Sequence, residues 1–172
     1  MSELLNTIKT RKSTKAFLDK EVPFELIEQI VEAGTYAPTG RNLQSPIIVA
    51  ITNKEVRDQL SKLNASIMNA PIDPFYGAPV VLLVLANKDV FTYIYDGSCV
   101  MENMMLAAHS LGLGSCWIHR AKEEFETDEG KALLKEWGIE GNYEGIGHVV
   151  VGYNKVDPIE KPRKENYIYY VK

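Results

Sequence analysis

Residues 96–111 read DGSCVMENMMLAAHSL. Val100, Met101, Met104, Met105, Leu106, Ala107 and Ala108 leave a helix built from this stretch apolar nearly all round. Such a helix needs cover on every side, so it belongs at the centre of a fold or at a subunit interface. Gly112 and Gly114 end it, and SCWIH (115–119) follows as a short strand. Upstream, PVVLLVLA (79–86) is continuously apolar, the pattern of a strand buried on both faces. GIGHVVVGY (145–153) gives another buried strand, and the branched run PIIVAIT (46–52) a further one.

Helices fill the space between these strands. Residues 2–10 predict a helix capped by Ser2, with Leu4, Leu5 and Ile8 on its apolar face. Val22-Pro23 opens a second, whose face is Leu26, Ile27, Ile30 and Val31 and which Gly34 and Pro38 end. Residues 54–63 predict a charged surface helix, 64–77 a loop or short helices, and 121–137 a charged helix. The whole is α+β, a mixed sheet with helices on both faces, without the βαβ series of a dinucleotide fold.

The chain has 172 residues, enough for one domain and cramped for two. Its 45% hydrophobic and 24% charged residues exclude disorder, collagen-like repeats and a coiled-coil rod. A formal net charge of -4 argues against a general nucleic-acid binder. Cys99 and Cys116 form no CxxC pair, and His109, His119 and His148 have no HxxxH or HExxH spacing. Neither a disulfide framework nor a metal site is expected. The start, MSELLNTIKTRKS, lacks the apolar region of a signal peptide, and the longest apolar run is too short to span a bilayer. The expectation is a reduced, cytoplasmic protein without a membrane segment.

Charge is not spread evenly. Lys9, Arg11, Lys12, Lys15 and Lys20 crowd the start, and Lys155, Lys161, Arg163, Lys164 and Lys172 the tail. If the fold joins these ends they make one anion pocket; otherwise they are solvated surface. In an extended segment Arg11, Ser13 and Lys15 point to one side, where a phosphate would meet two cations and a hydroxyl. Cations at the end of a helix explain the same residues as well. APTGRNLQSP (37–46) is a polar turn before a strand; Asn42 and Gln44 suit a heterocycle edge or simply their own backbone. In LGLGSCWIH (111–119) the glycines allow a ligand to approach closely, while Trp117 reads as core or as the side of a ring site. No GxxxxGK[ST] or GxSxG motif is present.

In this order and spacing the segments resemble the nitroreductase family of FMN-dependent oxidoreductases, from Ile8 to about Arg163. The resemblance implies one three-layer α/β/α domain over 1–172 with a mixed central sheet. It further implies an intertwined homodimer whose tail, about 155–172, packs on the partner. Arg11, Ser13 and Lys15 match the family's ligands of the FMN phosphate and ribityl chain, and Lys12 a position beside the pyrimidine edge. Lys161 and Arg163 match a basic pair that returns to the same phosphate. Pro38, Thr39, Gly40, Asn42 and Gln44 match a loop that touches the flavin, commonly from the other subunit. Cys116, Trp117, Ile118 and His119 match the strand beside the isoalloxazine, where a backbone N–H faces N5, and Asn69 loosely matches a further ring contact.

The implied activity is ping-pong reduction of nitroaromatics, quinones or similar small acceptors by NADH or NADPH. Flavin N5 carries the hydride, and no side chain acts as acid or base. Dehydrogenase or dehalogenase chemistry and a non-catalytic redox sensor are alternatives on the same fold. The chain departs from the family in its shortness, in Ile47 where a tryptophan is common, and at His119 and Arg120, where glycine or an acidic residue is common.

Overall fold

The apolar run at 79–86 forms one of two inner strands of a four-stranded sheet. A computed structural model describes residues 2–172. In chain order its elements are α1 (Glu3–Thr10), α2 (Phe24–Thr35), a 3-10 turn (Gly40–Asn42), β1 (Pro46–Ile51), α3 (Lys54–Met68) and β2 (Val80–Asn87), then α4 (Tyr93–Ser110), β3 (Gly114–Ile118), α5 (Ala121–Glu126), α6 (Asp128–Glu136) and β4 (Tyr143–Gly152). The sheet runs β1-β2-β4-β3.

Strand alternation divides the core between two faces. Val80, Leu82, Val84 and Ala86 join Ile27 and Ile30 of α2 and Met101, Met104 and Ala108 of α4. Val81, Leu83 and Leu85 face the other way, onto Leu60 of α3, Phe125 of α5 and Leu133 of α6. Truncating one of these leucines to alanine removes roughly 2–5 kcal/mol of stability. The sheet is thus the middle of three layers, which is the predicted α+β architecture.

Four details differ from the sequence reading. The strands all pair antiparallel, and parallel pairing among the described residues is confined to the isolated bridge between Ser13 and Ser115. Continuous apolarity reports helices on both faces and says nothing of strand direction. The helix expected at 54–63 runs on to Met68, and it is not a surface helix: Arg57, Ser61 and Asn64 are buried on it beside Leu60 and Leu63. Residues 121–137 form two helices, because Thr127 starts α6 by accepting from Gly130 N–H. Gly34 does not end α2 but lies inside it, where a Cβ would stand 2.9 Å from Met104 Cγ.

The methionine-rich helix buries Val100, Met101, Met104, Met105 and Ala108 within the chain, while Leu106 and Ala107 stay half-buried and Ile94 and Tyr95 are exposed. Apolar surface is left open elsewhere: α1 buries none of its residues, and Leu4, Leu5, Ile8 and the tail from Tyr167 to Val171 are exposed. Among the described residues no helix is long and apolar enough to cross a membrane.

Candidate functional site

The chain leaves α1 extended and runs along the outer edge of β3. Thr14 N–H donates to Ser115 O at 2.9 Å. Thr14 turns inward, its Oγ1 donating to Asn154 Oδ1 at 2.8 Å, so its neighbours Ser13 and Lys15 face outward. The end of the chain then folds alongside, through the Phe17–Asn154 bridge and a bond from Lys155 N–H to Ala16 O. The two basic ends meet in a cleft of about 640 Å³. Lys9, Arg11, Lys12, Ser13 and Lys15 form one wall, and Asp157, Glu160, Lys161 and Arg163 stand on the other. Six cations face two carboxylates on a chain that is acidic overall.

These cations are weakly compensated. Arg11 Nε lies 3.8 Å from Glu102 Oε1, and Lys12 Nζ 3.8 Å from Glu160 Oε2. Arg11 Nη1 and Ser115 Oγ are buried without a hydrogen-bond partner. A buried unsatisfied donor is costly, and a phosphate oxygen is a strong partner for a guanidinium. The residues present therefore fit a phosphate-bearing cofactor. Beside the cleft, His109 Nε2 lies 2.8 Å from Thr10 Oγ1 in a recess of about 240 Å³ that also touches Lys12. Burial, then the charges of Arg11 and Lys12, push the His109 pKa down. Burial raises the Cys116 thiol, with Lys15, Ser13 and Arg11 opposing.

β3 contributes its backbone more than its side chains. Cys116 and Ile118 lie in one core cluster and Trp117 packs, half-buried, on the other, so all three side chains serve the core. His119 is exposed. Ser115 O points out to Thr14, and the peptide groups of alternate residues share that direction. Trp117 and His119 therefore turn their N–H groups to the open edge beyond the Ser13–Thr14 segment.

The loop at 38–45 is built differently. Arg41, Asn42 and Gln44 have φ of 54°, 55° and 49°, left-handed values that L-residues seldom adopt. Asp96, buried in the first turn of α4, holds them there. It accepts from Gly40 N–H at 2.9 Å and from Ser45 Oγ and Thr92 Oγ1 at 3.0 Å. Gly40 fits against Thr92, where a Cβ would meet Oγ1 at 2.3 Å. Thr39 Oγ1 accepts from Gln44 N–H, and Gln44 Nε2 donates to Asn42 Oδ1. Pro38, Asn42 and Gln44 remain exposed. Asp96 belongs to no local motif, since two of its partners lie more than fifty positions earlier. A carboxylate opening an otherwise apolar helix was the available signal.

One chain does not bring loop and cleft together. Asp96 pins the loop at the first turn of α4, while the Thr10–His109 contact sets the cleft beside the last. Thirteen residues separate the two positions, about 20 Å along the axis at 1.5 Å per residue. Asn69, a left-handed cap at the end of α3, lies apart from the cleft, on a separate depression with Arg57 and Asp73.

The fold and the phosphate-type cleft define an α+β cofactor-binding protein. The model of the nitroreductase family matches residues 8–153. A protein of Archaeoglobus fulgidus, provisionally named NADH dehydrogenase/NAD(P)H nitroreductase, is 30% identical over 158 residues, covering 90% of this chain and 87% of its own. A Methanothermobacter thermautotrophicus protein of the same name is 30% identical over 124 residues, and the chain covers 60% of its length. The crystal structure of a Bacteroides fragilis nitroreductase with bound FMN superimposes with a TM-score of 0.92 over 100% of both chains, at 29% identity. The chain belongs to the nitroreductase family.

Proposed function

We propose that this chain is an FMN-dependent NAD(P)H oxidoreductase that reduces nitroaromatics, quinones or similar small acceptors, donor and acceptor taking turns in one place. The observation that carries this reading is the cleft itself. Cations from both ends of the chain converge there, and Arg11 keeps a buried donor free. The bound FMN of the Bacteroides fragilis relative and the NAD(P)H in the name of the Archaeoglobus fulgidus protein support it.

FMN, when bound, supplies hydride acceptance and donation. The chain supplies position and charge. Arg11, Ser13, Lys15, Lys161 and Arg163 hold the phosphate and ribityl chain, and Lys12 brings positive charge to the pyrimidine edge. The Cys116–His119 backbone lies along the ring, with an outward N–H toward it, whereas Asn69, on its separate depression, is left out of the site. No side chain is required as an acid or base.

Pro38, Thr39, Gly40, Asn42 and Gln44 reach the ring from a second copy. Two observations support this homodimer. The loop stands about 20 Å along α4 from its own cleft by the rise of a helix, and apolar α1 and tail residues lack cover within the chain. The tail packs on the partner subunit.

An oxygen-free titration tests the reading. Protein loaded with FMN shows flavin bands near about 370 and 450 nm, NADH or NADPH bleaches them, and a nitroaromatic or quinone restores them. A chain that takes up no FMN overturns the reading. Flavin that does not bleach removes NAD(P)H as donor.

A further inference from the structure

Beyond the cleft, a line of buried polar side chains runs from β4 to the end of β3. His148 and Glu124 are both fully buried, with Nε2 and Oε2 3.1 Å apart, and the His148 ring leans on Phe75. Glu124 accepts a hydrogen bond from Asn64 Nδ2. Asn64, also fully buried, then grips the end of the strand twice: Nδ2 donates to His119 O at 2.9 Å, and Oδ1 accepts from Arg120 Nε at 3.0 Å. The residue it grips is strained, since Arg120 has φ 78° and ψ 8°, a left-handed conformation that a non-glycine residue adopts at a cost. The backbone around it has little room to shift, because a Cβ on Gly145 would sit 2.3 Å from the carbonyl carbon of Ala121, the residue that follows.

Stability alone is a poor reason for this line. Buried polar groups of this kind are often replaceable by well-packed apolar ones without loss. Its end point is more informative. His119 is the last residue whose N–H faces the open edge of β3, and Arg120 turns the chain away from that edge.

We propose that Asn64 is a positioning residue, which holds Arg120 in its left-handed turn and so fixes the direction of the His119 and Trp117 N–H groups. The assignment rests on the flavin reading above, in which that edge faces the ring. Asn64 does not itself touch the cofactor; it acts through the strained turn.

The strain supplies the test, because glycine adopts φ 78° without penalty. FMN affinity, flavin midpoint potential and the backbone amide resonances of Trp117, His119 and Arg120 are measured for four variants: Asn64→Ala, Arg120→Ala, Arg120→Gly and the double Asn64→Ala/Arg120→Gly. Expected is a loss of roughly tenfold or more in FMN affinity for Asn64→Ala, the order of one charged or buried hydrogen bond, with a shifted potential and displaced amides. Arg120→Gly alone stays near wild type and in the double variant recovers most of the loss. Arg120→Ala, which keeps the strain and drops the Asn64 bond, loses affinity. If Asn64→Ala does not fold, the Ala-against-Gly pair at Arg120 decides. Equal losses for Arg120→Ala and Arg120→Gly overturn the proposal in favour of direct contact by the guanidinium. Unchanged affinity, potential and amides in Asn64→Ala, in a protein whose wild type binds FMN, overturn it and leave the flavin reading intact. A wild type that binds no FMN overturns the flavin reading, and the proposal with it.

Discussion

The basic cleft and the loop at 38–45 hold their polar groups in opposite ways. In the cleft, cations stand near carboxylates at 3.8 Å, and a guanidinium donor is buried with nothing to bind. In the loop, one buried carboxylate takes three hydrogen bonds at 2.9–3.0 Å and fixes a backbone that three left-handed residues strain. The cleft leaves a guanidinium donor unpaired, which an anion would satisfy. The loop satisfies its polar groups from within the chain.

Breaking the loop has the largest expected effect on the fold. Asp96→Ala strands three donors and is expected to lower the unfolding free energy by roughly 2–4 kcal/mol, read from urea denaturation. The same variant leaves the affinity of the cleft for inorganic phosphate within about twofold, because sites this far apart without shared partners act independently. Equal damage to both regions would erase the distinction. Breaking the cleft reverses the pattern. Arg11→Ala weakens FMN binding by roughly 1.5–3 kcal/mol, as loss of a charged hydrogen bond does, while stability hardly moves. Unchanged flavin affinity would remove Arg11 from the site.

A smaller effect sharpens the same comparison. His109 has its pKa lowered in the fold, by burial first and then by Arg11 and Lys12. The unfolded chain therefore binds the extra proton more readily. The contribution is present above the unfolded value of about 6.5 and is lost as pH falls below it toward the folded value. An anion in the cleft offsets the two cations and moves the His109 pKa back up. An NMR titration of the imidazole with and without phosphate reads both directions, and a pKa indifferent to phosphate would separate His109 from the cleft.

How much of this was legible in the sequence follows the range of each interaction. β2 and β4 announce themselves, because an unbroken apolar run has few other fates. The Arg11, Ser13 and Lys15 alternation was visible because an extended segment needs only local geometry. Their meeting with Lys161 and Arg163 has no local signal, because it depends on pairing between the 14–17 and 153–155 segments. The buried face of α3 was hidden, since Arg57, Ser61 and Asn64 break the apolar period that marks a core helix, and Pro71 and Pro74 drew the reading toward a loop. Asp96 and Arg120 were missed for a different reason. The first has distant partners in sequence, and the second has a left-handed backbone that arginine does not signal.

The central claim is that the cleft of one copy and the loop of another complete a flavin site. Light scattering with absorbance at about 450 nm on the same chromatographic peak tests it in one run, flavin being the only group expected to absorb there. The account predicts twice the 19.3 kDa chain mass with one flavin per chain. A peak of single-chain mass carrying its full flavin would contradict it.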